Sequence, residues 1–247
     1  MGNRIALVTG GVGGMGTEIC RELAHKGCTV VGTYIAMERD HAQVWLKDRL
    51  AENMKAAIYE LDGTQFDSCR ETVAQVEKEV GPIDILVNNA GITRDGTLKK
   101  MDSAQWLAVI NTNLNSVFNM TRNVIDGMLE RKFGRIINIS SINGRKGQFG
   151  QTNYSAAKAG MHGFTMALAQ ETASKGITVN TVSPGYTATK MMLDIPQDIL
   201  NKIIAQIPVG RLAKPEEIAR VVSFLAADEN GFITGANIDI NGGQYMG

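Results

Sequence analysis

Short apolar runs rich in valine and isoleucine alternate along the chain with longer segments of helical periodicity. The runs are RIALVTG, CTVVGTY, AAIYELD, IDILVNNAG, GRIINISS, ITVNTVSPG and ANIDINGG. Strands that are apolar throughout, each followed by a helix, are typical of a parallel sheet covered on both faces. The pattern therefore predicts an α/β fold with seven strands. Most of the runs end in small polar residues, at the edge where open α/β sheets bind ligands.

The segment MGTEICRELAHKG shows the helical pattern most clearly. Gly27 ends the predicted helix directly before the second strand. The side chains that share one face at helical spacing are Met15, Ile19, Leu23 and Ala24. With no Pro/Ser-rich linker or repeat between such units, we expect residues 1–247 to form a single domain.

Composition narrows the class of protein. Hydrophobic residues make up 44% and charged residues 20%, which is typical of a globular chain. Lys+Arg and Asp+Glu are 25 each, so no basic field would attract nucleic acid or an anionic membrane. No apolar run reaches the ~18 residues of a membrane span. The three cysteines and three histidines form no ligand pattern. We expect a cytoplasmic protein without metal, nucleic-acid or membrane partners.

A glycine cluster lies between the first strand and the first helix. Glycine there lets the backbone turn tightly and approach a pyrophosphate at a helix N-terminus. A flexible loop without a ligand is the alternative. Two dinucleotide-binding patterns overlap: G-x-G-x-x-G on Gly11, Gly13 and Gly16, and T-G-x-x-x-G-x-G on Thr9, Gly10, Gly14 and Gly16.

The end of the second strand indicates which dinucleotide is bound. An acidic residue there would accept hydrogen bonds from the 2′-hydroxyl of NAD. Here the strand ends in Gly32, Thr33, Tyr34 and Ile35, and Arg39 follows shortly after. Because arginine pairs well with phosphate, the segment favours NADP(H). The alternative is that Arg39 is a solvated charge at a helix start.

Tyr154 and Lys158 are four residues apart, one helical turn on the same face. An unperturbed phenol has a pKa of about 10 and is a reluctant acid near neutral pH. A nearby ammonium favours the phenolate and lowers that pKa. The pair could therefore be a proton donor and the charge that tunes it, or two ordinary helix residues.

Six motifs in order resolve this ambiguity: TGGVGGMG, NNAG, NTNLNSVFN, ISSING, Tyr154-x-x-x-Lys158 and SPGYTAT. Together they span the chain, which resembles the short-chain dehydrogenase/reductase family. The resemblance implies a Rossmann-like doubly wound sheet of seven parallel strands flanked by helices. It also implies a homotetramer formed through the long central and C-terminal helices.

The family's catalytic tetrad maps onto Asn113, Ser141, Tyr154 and Lys158. The resemblance implies that Tyr154 is the general acid and that Lys158 tunes it and binds the nicotinamide ribose. Ser141 would hold the substrate oxygen, and Asn113 would anchor a water that relays protons. Ser140 competes for the serine role, but Ser141 has the family's spacing of thirteen residues before Tyr154.

The resemblance also implies a set of cofactor contacts. Asn88 and Gly91 would border the adenosine and pyrophosphate, and Asp62 would meet the adenine. The chain departs from the common pattern at Gly13, where many NADP-binding members have arginine, and at Gly63, where a β-branched residue is common. The full cofactor set is Gly10, Gly14, Met15, Gly16, Tyr34, Arg39, Asp62, Gly63, Asn89, Ala90, Gly91, Tyr154, Lys158, Pro184, Gly185, Thr187 and Thr189.

The rim of the predicted site indicates the substrate. Four segments carry the signal: NGRKGQFGQTNYSAAKAGMHGFTMALAQE, NNAGITRD, VIDGM and GRIINISS. They resemble those of acetoacetyl-CoA reductases of polyhydroxybutyrate synthesis, which reduce acetoacetyl-CoA with NADPH to (R)-3-hydroxybutyryl-CoA. A short acyl group needs an apolar wall and amide donors. Phe149 and Tyr186 could form the wall, and Gln148 and Gln151 could be the donors. The stretch YTATKMMLDIPQDILNKIIAQIPVGR is amphipathic and predicts a lid. The predicted substrate contacts are Ser141, Gln148, Phe149, Gln151, Tyr154 and Tyr186.

Two other functions stay open. The 3-oxoacyl-[acyl-carrier-protein] reductases of fatty-acid synthesis share the tetrad, and their carrier protein would bind the same basic residues as the phosphates of CoA. An inactive nucleotide-binding scaffold would predict a damaged tetrad, whereas this one is intact. The basic residues expected at the entrance are Arg94, Lys99, Lys100, Arg145 and Lys146.

Overall fold

A single parallel sheet forms the centre of the protein. The computed structural model describes residues 1–247, apart from the side chain of Met191. The strands run in the order β3-β2-β1-β4-β5-β6-β7, and every neighbouring pair is parallel. Each predicted apolar run contains one strand, which confirms the doubly wound, seven-stranded fold. The strands are β1 (Ile5–Val8), β2 (Thr29–Tyr34), β3 (Ala56–Glu60), β4 (Ile83–Asn88), β5 (Gly134–Ile139), β6 (Ile177–Pro184) and β7 (Asn237–Ile240).

Helices cover both faces of this sheet. Six of them have twelve residues or more, and α4, α6, α8 and α9 are shorter. Among the helices that the structure describes, none combines the length and apolar character needed to cross a membrane. The helices are α1 (Gly14–His25), α2 (Arg39–Ala51), α3 (Phe66–Glu79), α4 (Ser103–Ile110), α5 (Ser116–Arg131), α6 (Asn143–Lys146), α7 (Thr152–Thr172), α8 (Lys190–Leu193), α9 (Gln197–Ile204) and α10 (Pro215–Ala226).

The strand residues alternate between two hydrophobic cores, one on each face. Ala6 and Val8 of β1 face the core that contains α1 and α10. Ile5 and Leu7 face the core that contains α3 and α5. This period of two is the geometry of a strand buried on both sides, and it explains why β1 is apolar at every position.

A third, smaller hydrophobic cluster lies in the segment that follows β6. Leu200, Ile207 and Leu212 are its buried members. Partly buried Tyr186 and Met192 pack against them. The predicted lid thus contains α8 and α9 and has a core of its own. The apolar side of this amphipathic segment forms the cluster.

The fold places β1 between β2 and β4. The chain runs from β1 to β2 in one direction along the sheet and from β4 to β5 in the other, so the carboxyl ends of β1 and β4 border a crevice. Ligands of open α/β sheets bind in such a crevice. The loops that follow these two strands carry the motifs TGGVGGMG and NNAG.

Candidate active site

The glycine loop connects β1 to α1 at the crevice. Gly10 has a φ of +60°, which favours glycine. A Cβ on Gly11 would lie 2.6 Å from the Cα of Gly32, and one on Gly16 would collide with the carbonyl oxygen of Gly10. Gly13 meets only ordinary contacts with the rest of the protein. The fold therefore requires glycine at positions taken from both overlapping patterns, where the chain turns and the helix approaches the loop.

The N-terminus of α1 faces the crevice. Its N-cap residue is Gly13, and since glycine has no side chain, the first amide groups of the helix are left for water or a ligand. A Cβ on Gly14 would lie 3.8 Å from the side chain of Thr189. This helix end therefore lies opposite the segment after β6, and its amides and positive dipole end suit a phosphate group.

Thr9 joins the glycine loop to the end of β4. Its hydroxyl oxygen accepts hydrogen bonds from the amides of Asn89 and Ala90, both at 3.0 Å. The Asn89 Nδ2 donates in return to the Thr9 carbonyl oxygen at 2.9 Å. Asn89 and Ala90 are thereby fixed at the edge of the crevice, next to Gly10.

Asn88 does not lie where the resemblance placed it. Its side chain is buried and its Nδ2 donates to Asn138 Oδ1 at 2.8 Å. Asn138 Nδ2 donates in turn to Thr165 Oγ1 at 2.9 Å, and Thr181 donates to the same oxygen at 2.8 Å. The side-chain amide of Asn88 is therefore used inside the sheet, rather than at the cofactor border that the resemblance implied. It begins a buried polar ladder that crosses β4, β5 and β6 and ties them to α7.

The end of β2 carries the predicted cofactor-selecting residues. Tyr34 is buried, and Arg39 at the start of α2 is largely exposed. Arg39 Nη2 donates to Glu60 Oε2 at 2.6 Å, and this carboxylate raises the pKa of Arg39. The sequence indicated a free charge or a phosphate ligand; the structure shows Arg39 beside the crevice in an exposed ion pair. Glu60, at the end of the neighbouring β3, was missed.

Asp62 and Gly63 lie in the turn after β3. Asp62 Oδ1 accepts hydrogen bonds from the amide and the hydroxyl of Thr64, at 3.0 and 2.7 Å. A Cβ on Gly63 would lie 3.2 Å from that of Ser116 on α5. The departure from a β-branched residue at position 63 therefore has a local cause, because α5 packs closely against this turn.

A π-helical turn, Asn111–Asn115, joins α4 to α5 and carries Asn113. Such turns are rare and often occur at functional sites. Asn113 is fully buried. Its Oδ1 accepts from the Ile92 amide and its Nδ2 donates to the Ile92 carbonyl oxygen, both at 2.8 Å. Asn113 thus lies in a wide turn that aims its side chain at the loop after β4.

Gly91 separates two members of the tetrad. A Cβ at Gly91 would lie 2.9 Å from Asn113 Oδ1 and 3.5 Å from Lys158 Nζ. Lys158 is buried, and its Nζ donates to the carbonyl oxygen of Ile139 at 2.7 Å. Burial lowers the pKa of Lys158 to about 7. Lys158 is therefore close to losing its charge in the physiological range.

Ser140 and Ser141 follow β5 but face different surroundings. Ser140 is buried, and its hydroxyl donates to the Lys158 carbonyl oxygen at 2.8 Å. Ser141 is partly exposed, accepts from the Asn143 amide at 3.1 Å, and lies within hydrogen-bonding reach of Tyr154. Ser141 thus lies on the open side with the tyrosine, as predicted from its spacing.

The expected lowering of the Tyr154 pKa is not found. Burial raises the pKa of Tyr154, Ser141 opposes this, and Asp95 adds to it. Lys158 Nζ lies 5.6 Å from the centre of the tyrosine ring. The Lys158 ammonium is itself destabilised by burial and is bonded to Ile139. It therefore does not lower the pKa of Tyr154 as the sequence spacing predicted.

The turn after β6 bears the predicted nicotinamide contacts. Pro184 accepts a hydrogen bond from the Ile142 amide through its carbonyl oxygen, at 2.8 Å. A Cβ on Gly185 would lie 2.8 Å from the Asn241 backbone, which explains glycine at this position. Thr187 is buried and donates to the Gly185 carbonyl oxygen at 3.2 Å. Thr189, in contrast, faces the glycine loop.

The rim residues adopt different roles. Phe149 is 88% exposed, so its ring is free to form a wall. Gln151 donates through Nε2 to Asp95 Oδ2 and accepts through Oε1 from Asn143, both at 2.9 Å. Its amide is thus partly committed to holding the rim together. Gln148 accepts from Lys146 at 3.3 Å.

One entrance residue is misplaced in the sequence interpretation. Arg145 is only partly exposed, lies 3.5 Å from Asp239 Oδ2, and stacks its guanidinium 5.3 Å from the ring centre of Tyr245. It therefore anchors the C-terminal segment. Arg94, Lys99, Lys100 and Lys146 are exposed, as expected of the entrance.

This crevice combines the uncapped amides of a helix N-terminus, a buried amine, a phenol and a hydroxyl, which suit an anionic ligand and the transfer of a proton. A family model described as short chain dehydrogenase matches residues 4–199. An acetoacetyl-CoA reductase of Allochromatium vinosum is 61% identical, over 98% of this chain and 99% of that protein. One of Cupriavidus necator is 55% identical over the full length of both chains. A 3-oxoacyl-[acyl-carrier-protein] reductase of Pseudomonas aeruginosa is 44% identical over 98% of each. The chain belongs to the short chain dehydrogenase family.

Proposed function

We propose that this enzyme reduces acetoacetyl-CoA to (R)-3-hydroxybutyryl-CoA with NADPH. The observation that carries the proposal is the 61% identity over nearly the whole chain to a protein named acetoacetyl-CoA reductase. The site agrees with it, since Asn113, Ser141, Tyr154 and Lys158 meet at one crevice. The more distant carrier-protein reductase, at 44% identity, is the second candidate.

The crevice suits a dinucleotide. The amides at the N-terminus of α1 would hold its pyrophosphate, with Thr189 close to Gly14 on the opposite side. When bound, the nicotinamide supplies the hydride. We assign the cofactor contacts to Gly10, Gly14, Met15, Gly16, Tyr34, Arg39, Asp62, Gly63, Asn89, Ala90, Gly91, Tyr154, Lys158, Pro184, Gly185, Thr187 and Thr189.

The preference for NADPH rests on Arg39. It begins α2 shortly after β2, and β2 itself ends without an acidic side chain that would contact a ribose. Its guanidinium is held by Glu60 on the neighbouring strand. A 2′-phosphate carries more charge than a single carboxylate and would compete for the same donors.

Tyr154 supplies the proton in this mechanism. Its raised pKa keeps the phenol protonated near neutral pH, so the hydroxyl can donate to the substrate oxygen as negative charge develops there. Ser141 donates a second hydrogen bond to that oxygen and stabilises the charge. The phenolate that remains is reprotonated from the side of Lys158 and Asn113.

Lys158 changes its role during this sequence. With a pKa of about 7 it exists both as amine and as ammonium at neutral pH, so it can pass a proton on with little free-energy cost. As the tyrosine becomes negative, the ammonium is favoured and the two groups attract each other. Asn113 is fixed by its two hydrogen bonds to Ile92, and in this mechanism it helps to hold a water beside Nζ.

The rim supplies the substrate site. We assign Ser141, Tyr154, Gln148, Phe149, Gln151 and Tyr186 to contacts with the acyl thioester. The exposed Arg94, Lys99, Lys100 and Lys146 would bind the phosphates of CoA at the entrance. The product would then enter polyhydroxybutyrate synthesis. We further propose that the protein is cytoplasmic, forms a single domain and assembles as a homotetramer.

The test follows NADPH oxidation with acetoacetyl-CoA and, separately, with acetoacetyl-[acyl-carrier-protein], each repeated with NADH and with Tyr154→Phe. We expect kcat/KM to favour the CoA substrate by about tenfold or more and the variant to lose activity. A preference for the carrier-protein substrate would instead assign the enzyme to fatty-acid elongation. No turnover of either would refute the thioester assignment.

A further inference from the structure

His162 lies on α7 one helical turn after Lys158, against the ends of β5 and β6. Its Nε2 is 3.0 Å from the Ser140 hydroxyl oxygen and 3.3 Å from that of Ser183. Neither serine belongs to the tetrad. The imidazole thus lies behind the catalytic residues, on the side of α7 that faces the sheet.

The directions of the hydrogen bonds determine which nitrogen of His162 carries a proton. A serine hydroxyl has one proton to donate. Ser140 donates its proton to the Lys158 carbonyl oxygen at 2.8 Å, and Ser183 donates its proton to Asn237 Oδ1 at 2.6 Å. Both hydroxyl oxygens can therefore only accept from the imidazole. His162 must carry hydrogen on Nε2 and divide it between the two serines.

This arrangement fixes the Ser140 hydroxyl. With its oxygen occupied by the His162 N–H, the Ser140 proton is directed to the backbone of Lys158. Lys158 is then held at two points, its carbonyl oxygen by Ser140 and its Nζ by the carbonyl oxygen of Ile139 at 2.7 Å. Residues 139 and 140 immediately precede Ser141, so one short segment positions both the serine and the lysine of the tetrad.

We propose that His162 is a positioning residue for the reduction, whose Nε2–H orients Ser140 so that Ser140 holds the turn of α7 that carries Lys158. The role rests on the proposed reductase function, although the hydrogen-bond arrangement itself does not.

The surroundings keep the imidazole in one protonation state. Burial and Arg145 lower the pKa of His162, and Asp239 on β7 raises it less. Asp239 is occupied by Arg145 at 3.5 Å and by Asn237 Nδ2 at 3.0 Å. His162 is therefore neutral near pH 7, and the single proton on the ring is available for the serines.

The first test is the tautomer. Long-range 1H–15N spectra of the ligand-free protein would show the three histidines, and His162→Gln would identify the signal of position 162. We expect a protonated Nε2 and an unprotonated Nδ1. A proton on Nδ1 would overturn the proposal. This measurement needs no substrate, so it stands even if acetoacetyl-CoA is not turned over and the proposed function fails.

The second test is kinetic. His162→Leu removes the donor, whereas the amide of His162→Gln retains one at the position of Nε2. We expect His162→Leu to lower kcat about tenfold, as the loss of one positioning hydrogen bond would, with little change in the KM for NADPH. His162→Gln should recover to within about threefold. The matched control is Ser183→Ala, which leaves the contact between His162 and Ser140 in place. This variant should keep the kcat of the wild type.

A double variant shows whether His162 acts through Ser140. Ser140→Ala alone should lower kcat, and adding His162→Leu should lower it little further, since two residues in one pathway are not additive. Fully additive losses, an unchanged kcat in His162→Leu, or equal losses in the Leu and Gln variants would overturn the proposal. Thermal melts of each variant separate these effects from loss of folding; if His162→Leu does not fold, the tautomer and the Gln variant still decide.

Discussion

Asn88 offers a direct test of the difference between a cofactor contact and a structural one. Replacing it by leucine keeps the volume of the side chain and removes its amide. Asn138 Oδ1, which is fully buried, then loses the donor at 2.8 Å. An unsatisfied buried acceptor costs about 1–3 kcal/mol. The longer contact from Asn88 to Thr121 Oγ1, at 3.4 Å, contributes less.

This loss translates into a measurable change in Tm. In a protein of this size, 1 kcal/mol corresponds to about 2–4 °C, so Asn88→Leu should lower Tm by about 2–12 °C. The measurement is thermal unfolding by circular dichroism, with steady-state kinetics on the same samples. Asn123→Leu is the matched control, since Asn123 is partly exposed and its Nδ2 bonds only the Asn119 carbonyl oxygen on its own helix. It should change Tm by less than half as much as Asn88→Leu.

The kinetics decide between the two roles. With a purely structural Asn88, the KM for NADPH below the transition stays within about twofold of wild type. A KM that rises tenfold while Tm is unchanged would refute the reasoning, because Asn88 would then border the cofactor as the family resemblance implied. A loss in both would mean that the polar ladder positions the crevice as well as stabilising the sheet.

Three further outcomes are expected. Arg39→Gln should raise the KM for NADPH about tenfold and leave that for NADH unchanged, whereas Glu60→Gln should not raise either; equal effects on the two cofactors would contradict a phosphate contact. Lys158→Met should abolish turnover yet raise Tm at pH 7 by about 4 °C or more, because burial opposes the ammonium, and a Tm that falls at pH 7 would be the contrary result. The free-energy cost of burying the Lys158 ammonium is complete below its folded pKa of about 7 and disappears as pH rises towards the unfolded value of 10.5. The Tm gain of Lys158→Met should therefore shrink by pH 10. Gly11→Ala should lower Tm by at least about 4 °C, since its Cβ would lie 2.6 Å from the backbone of β2, while Gly13→Ala should fold normally; similar Tm values for both would show that the loop can relax.

The sheet could be predicted because its signals are local. Most strands are rich in apolar residues and bounded by glycine or polar residues, so the order of elements follows from the chain alone. The tetrad was equally accessible, since the thirteen-residue spacing selects Ser141, and the structure places Ser140 in a buried contact with Lys158.

Other features depend on contacts between segments distant in sequence. Asn88 and Asn89 are adjacent, and nothing local shows that only the second reaches the glycine loop. Glu60 meets Arg39 because β3 pairs with β2 in a register that sets Glu60 opposite Tyr34. The charge of Arg145 is typical of an entrance residue, yet its ion pair with Asp239 holds it against the C-terminal segment. The pKa of Lys158 follows from its burial, which spacing cannot reveal.

The bond between Thr9 and the end of β4 has a consequence for the order of events in a catalytic cycle. Widening the crevice at this point would leave the amides of Asn89 and Ala90 without their acceptor. We therefore expect the proposed cofactor-binding surface to be rigid before anything binds. The lid, with its separate small core, can shift without unpacking the main cores. We therefore expect compulsory-order kinetics, in which the dinucleotide binds first to a preformed surface and the thioester then closes the lid over it. Release of the reduced product would wait for the lid to reopen.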